Sequence, residues 1–70
     1  MPICAMFYVD EYAGTRYVGD FMQEEYAIEE IERLEGKTAK LQKYRKENIL
    51  YIYFNPNSSA HYTILNCEWS

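Results

Sequence analysis

The chain has little of what usually announces chemistry: among 70 residues there are one histidine, two cysteines, three glycines and two prolines. His61 has Cys4 and Cys67 as conceivable thiol partners and Asp10 as an orienting acid, but the spacing matches no nucleophile–base–acid arrangement. It reads instead as a turn histidine at the start of a strand. Gly14, Gly19 and Gly36 are too scattered to form a loop that cradles phosphate. Two cysteines and one histidine this far apart make no zinc pattern, so neither a metal nor a cofactor is expected. No apolar run approaches the ~18 residues of a membrane span. The opening MPICAMFYVDEY has no basic region and carries Asp10, so a signal peptide is not expected. These absences point to a cytoplasmic, non-enzymatic protein with no membrane association. Its cysteines are then expected to be reduced, small and buried.

What is present is apolar and aromatic: 49% of residues are hydrophobic and 17% aromatic, with eight tyrosines. That excludes a disordered chain. A chain of this length buries only about 60% of its unfolded surface, which favours one domain, residues 1–70, with an efficient core or added burial from a partner. Charge is unevenly distributed. Residues 1–36 carry −7 and residues 37–70 carry +3, within a net −4. Such polarity lets the two ends present opposite signs to different partners.

Ile3–Val9 alternates as a strand does, with Ile3, Ala5, Phe7 and Val9 on one side and Cys4, Met6 and Tyr8 on the other. Asp10–Gly14 is a turn and Thr15–Val18 a short return strand, which makes a hairpin. Asp20–Gly36 reads as the one helix and holds seven of the eleven acidic residues. Asp20 and Gln23 have the spacing of a capping box, and Gly36 suits the position just past the helix end. Phe21, Ala27, Ile28, Ile31 and Leu34 fall on one stripe, which should face the sheet. Lys37–Lys46 reads as an edge strand whose lysines discourage aggregation. ILYIYF, residues 49–54, has the strongest strand composition and is expected to be a central strand. Asn55–Ser59 is a turn, and Tyr62–Glu68 the last strand. The expected architecture is α+β: a small antiparallel sheet, order β-β-α-β-β-β, with one acidic helix on one face. The hairpin and acidic helix, FYVDEYAGTRYVGDF then EEYAIEEIERL, resemble in outline several small antitoxin-like and phage-borne folds. The likeness is one of shape and implies no residue role.

Two surfaces stand out. Glu25, Glu29 and Glu32 lie at i, i+4 and i+7 on the outer helix side, joined by Glu30, with only Arg33 placed to relieve them. Carboxylates along a rigid helix imitate a phosphate row and steer association with a basic protein. General acid–base work is not expected of them, because solvated glutamates have neither the burial nor the unlike neighbour that moves a pKa. The second surface is aromatic. With Leu50, Ile52 and Phe54 facing the helix and Thr63, Leu65 and Cys67 facing inward from the last strand, Tyr51, Tyr53 and Tyr62 share the opposite face, where Tyr8, Tyr17 and Tyr44 of the other strands can join them. Tyrosine there suits a protein partner or a homodimer. Bases stacking on these rings, with Lys37, Lys40, Lys43, Arg45 and Lys46 on phosphates, is the competing nucleotide or single-stranded nucleic-acid reading. Size, acidity and absent chemistry suit a virus- or mobile-element-encoded inhibitor of a nucleic-acid-handling machine, such as a host defence nuclease. Its partner would be a larger protein with a basic surface.

Overall fold

The computed structural model describes residues 3–65. Five strands and one helix follow in the order β1 (Cys4–Asp10), β2 (Gly14–Phe21), α1 (Glu24–Glu35), β3 (Gln42–Lys46), β4 (Ile49–Tyr53) and β5 (His61–Leu65). The strands form one antiparallel sheet of order β2-β1-β5-β4-β3. The α+β architecture expected from the sequence is therefore the observed one. β4 is an interior strand, paired on both sides as its composition predicts, and β5 inserts between the two hairpins at the middle of the sheet.

The turns follow local chemistry. The Asp10 carboxylate accepts the Tyr12 N–H at 2.9 Å, and Gly14 takes φ +86° to restart the chain as β2. The Asn55 side chain accepts the Asn57 N–H at 2.9 Å, and the Asn55 carbonyl accepts the Ser58 N–H at 3.1 Å. Between β3 and β4 the turn is only Glu47–Asn48, and Glu47 is forced to φ +56°.

The helix starts later than the sequence suggests. The hairpin ladder pairs Ala5 with Asp20 and Cys4 with Phe21, so β2 runs on to Phe21 and the Asp20–Gln23 capping box does not form. Gln23 becomes the N-cap without a side-chain cap bond, while the acidic Glu24 and Glu25 fill the first turn. At the other end Gly36 takes φ +97° and its N–H donates to the Glu32 carbonyl at 2.8 Å. The edge strand is shorter than Lys37–Lys46: residues 37–41 form a crossing segment, and Leu41 lies against the core.

One face of the sheet is covered. The helix lies over β2, β1 and β5, burying Ala27 and Ile31 against Cys4, Met6, Leu50, Ile52, Tyr62 and Ile64. Ile28 is half-buried. Leu34, at the end of the expected stripe, is exposed, in an open depression beside Arg16, Tyr17 and Val18 of β2. Cys4 is fully buried as expected, but it is disulfide-bonded and not a reduced thiol; Cys67 lies outside the described residues. Among the described residues no helix is long and apolar enough to cross a membrane, and no group of three His, Cys, Asp or Glu could hold a metal ion.

Candidate binding surface

Directly paired residues in an antiparallel sheet point to the same side, so the registers sort every strand side chain onto a face. The helix side takes Cys4, Met6 and Tyr8 from β1, Tyr62 and Ile64 from β5, Leu50 and Ile52 from β4, and Lys43 and Arg45 from β3. The open side is a grid of three rows across all five strands. One row is Thr15–Val9–His61–Tyr53–Gln42. The middle row is Tyr17–Phe7–Thr63–Tyr51–Tyr44. The third joins Asp20–Ala5 to Leu65–Ile49–Lys46: the β1–β5 ladder ends at Met6–Ile64, and continuing its register by one residue sets Ala5 beside Leu65. Val18 is the extra residue at the bulge that keeps Tyr17 on this side.

The rings on the open side touch one another. Tyr53 stacks on His61 with centroids 4.6 Å apart, and Tyr51 tilts against the same imidazole at 5.9 Å. Tyr44 meets Tyr53 edge-on at 5.8 Å, and Tyr17 meets Phe7 edge-on at 5.6 Å. The imidazole is oriented by its Nδ1, 2.8 Å from the Ser59 carbonyl. Tyr17 and Tyr44 are each 55% exposed, more than mutual packing alone would leave. The Tyr17 hydroxyl is pushed above its ordinary pKa, mainly by its hydrogen bond to Asp20 beside it. An open depression of ≈ 560 Å³ lies at the β3–β4 end, between Tyr44, Tyr51, Tyr53, Lys46, Asn55 and Pro56. No element among the described residues covers this face.

Tyr51 and Tyr53 stand where the sequence places them; Tyr62 does not. It pairs with Ile52 and Tyr8, only 4% exposed on the helix side, and its hydroxyl donates to Glu35 Oε2 at 2.6 Å. Burial, and then the bond to that carboxylate, push its pKa far up. The phase of β5 was readable from HYTIL: polar His61 and Thr63 alternate with Tyr62 and Ile64. Assigning Leu65 and Cys67 inward reversed it. Sequence reasoning left out Phe7 and His61, and the extension of β2 past Val18 that brings Asp20 onto the grid; Tyr8, expected to join this face, lies on the helix side opposite Tyr62.

The acidic helix divides in two. Glu24 accepts Arg45 at 2.7 Å across to β3, and Glu30 accepts Arg33 one turn on. The arginine holds the Glu30 carboxyl below its ordinary range. Glu35 is engaged by Tyr62. Glu25, Glu29 and Glu32 make no ion pair among the described residues and point away from the sheet, with Glu25 and Glu29 exposed and Glu32 half-buried. The ridge therefore keeps three unrelieved carboxylates, and Glu30 is not one of them.

The cations expected to serve a nucleic-acid ligand are separated by the register. Lys43 and Arg45 lie on the helix side, Arg45 tied to Glu24, and only Lys46 of β3 shares the tyrosine face. No protein-family model, curated protein or solved structure matches this chain.

Proposed function

We propose that the chain is a non-catalytic protein-binding module whose working surface is the open sheet face. One observation carries this reading: a five-stranded sheet has its helix on one side only, and the other side is a grid of contacting rings built on Phe7, Tyr17, Tyr44, Tyr51, Tyr53 and His61. Tyrosine provides large contact area at low entropy cost and keeps a hydroxyl for the wet rim. A face of this kind gains free energy when another protein surface removes it from water.

On the opposite side of the molecule, Glu25, Glu29 and Glu32 supply a negative field that accelerates association with a basic partner at low salt. That pairing of burial and steering suits an inhibitor of a larger, basic, nucleic-acid-handling protein, the role a virus- or mobile-element-encoded anti-defence protein plays. The competing reading, bases stacked on Tyr44, Tyr51 and Tyr53, draws on the depression beside Lys46. It has Lys46 on its face and Lys40 in the adjoining depression beside Tyr53, but Lys43 and Arg45 lie on the helix side, where they cannot join them in holding phosphate.

The test is affinity capture from a lysate of the source cells, with and without nuclease. Under the protein-binding reading one partner survives nuclease, is lost with Tyr51→Ala/Tyr53→Ala, and is captured more slowly by Glu29→Lys/Glu32→Lys, with weaker salt dependence. Capture that nuclease abolishes would establish the nucleic-acid reading instead.

A further inference from the structure

The open face has a charge pattern that an aromatic surface does not need. Its fifteen grid positions include only two ionisable carboxylate or ammonium groups, Asp20 and Lys46. Both are exposed, and they stand at the two ends of one row, on the opposite edge strands β2 and β3. Between them lie three strands, β1, β5 and β4, with β5 midway in strand order.

Building on the reading of this face as a binding surface, we propose that its occupant is a second copy of the chain, stacked face to face about a two-fold axis that runs along β5. The symmetry follows from the grid. A rotation about the β5 direction exchanges β2 with β3 and β1 with β4 while keeping each row in register with itself. Asp20 then meets Lys46 of the second copy at one corner, and Lys46 meets its Asp20 at the other. Along the middle row Tyr17 comes over Tyr44 and Phe7 over Tyr51, so the large rings of one copy meet those of the next. The other in-plane axis, across the strands, brings Asp20 onto the Thr15 end and leaves both charges unpaired. Charge complementarity thus selects one of the two ways this face can pack on itself, and an isologous contact of this kind closes as a dimer.

The area agrees. Five strands about 4.8 Å apart and five residues of about 3.3 Å each give a footprint of roughly 400 Å², and side-chain relief raises the total buried on both copies to about 1,000 Å². That is near the lower limit for a specific interface, so the dimer forms in a concentration-dependent way. Two sheets packed about 10 Å apart bury both sets of rings in one layer. The helices then lie outside, and the two ridges of Glu25, Glu29 and Glu32 remain free on opposite sides of the assembly for a basic partner.

Exchange of the corner charges tests the axis directly. Sedimentation equilibrium on the whole chain, up to about 1 mM, should show mass rising from 8.4 kDa towards twice that value. Asp20→Lys alone places like charges at both corners, as does Lys46→Asp alone, and each should weaken self-association about tenfold. An equimolar mixture of the two variants restores both corner pairs and should associate about as tightly as the parent chain, and so should the double variant. Both sites are exposed, and an unchanged far-ultraviolet circular dichroism spectrum confirms that neither variant has unfolded. A chain that stays monomeric throughout overturns the dimer, as does a mixture no tighter than its components. If it is monomeric while Tyr51→Ala/Tyr53→Ala still abolishes capture of a cellular partner, the face binds another protein and only the choice of occupant fails. If it is monomeric and capture ignores those tyrosines, the binding face itself is wrong.

Discussion

Replacing Tyr62 by phenylalanine removes one oxygen from a side chain that is otherwise fully packed. The ring still fills its place among Tyr8, Phe54 and Ile52, with centroids 5.1 Å from Tyr8 and 5.6 Å from Phe54. What is lost is the 2.6 Å bond to Glu35, the last residue of α1. A carboxylate there faces the negative end of the helix dipole, so the hydroxyl relieves a charge that is otherwise poorly placed. Hydrogen bonds to charged groups contribute roughly 1.5–3 kcal/mol. Glu35 is only half-buried, which screens the interaction, and about 1–2 kcal/mol is expected for Tyr62→Phe. In a domain of this size that lowers the melting temperature by about 5–10 °C. Urea unfolding of Tyr62→Phe, Glu35→Gln and the double variant isolates the coupling, expected near 1 kcal/mol. Tyr12→Phe, on a side chain 92% exposed, serves as the control and should change nothing. Because the Tyr62 pKa is raised on folding, its contribution is fully present below the ordinary tyrosine value of about 10 and is lost as pH rises above it. The gap between parent and Tyr62→Phe should therefore narrow from pH ~10 upward. A Tyr62→Phe protein as stable as the Tyr12→Phe control, or a coupling of zero, would refute this account of how the helix C-terminus is held to β5.

Two backbone predictions concern positions of positive φ. Gly36→Ala meets no neighbouring atom within 4 Å, yet φ +97° strains any side chain, so a loss of about 1 kcal/mol is expected in chemical unfolding. Glu47→Gly acts in the opposite direction: at φ +56° in a two-residue hairpin the substitution relieves left-handed strain and should raise stability by about 0.5 kcal/mol, read by the same assay.

The dimer changes how the two candidate surfaces relate. As a monomer, the chain offers one partner an aromatic face for burial and an acidic ridge for steering. Stacked through the sheets, the first assembles the particle and the second decorates both its outer sides. Two ridges on one particle bind a partner with repeated basic sites more tightly than either ridge alone, through effective concentration and without any new contact.

Much of the fold was legible in the residues. Alternation marked the strands, Asp10, Gly14 and Asn55–Ser59 marked the turns, and the Ala27–Ile31 stripe marked the buried side of the helix. These depend on chemistry within a few residues, which a linear reading captures. The outward glutamates were legible for the same reason, since i, i+4 spacing on a helix needs no other element. Pairing partners were not legible. That Asp20 and Phe21 belong to β2 depends on β1 needing ladder partners as far as Cys4. That Tyr62 faces the helix depends on β5 being inserted between β1 and β4 with Met6 and Leu50 both opposite Ile64. A shift of one residue in either register reverses every side chain in the strand, so composition alone left the membership of the aromatic face open. The residues by themselves determined that this protein has one acidic helix, a small antiparallel sheet and more tyrosine than its core can hold. Only the tertiary structure decided which tyrosines stand together and which cations are withheld from them. It alone sets Asp20 and Lys46 at opposite ends of one row, because strand order and register are settled by contacts between segments far apart in the chain.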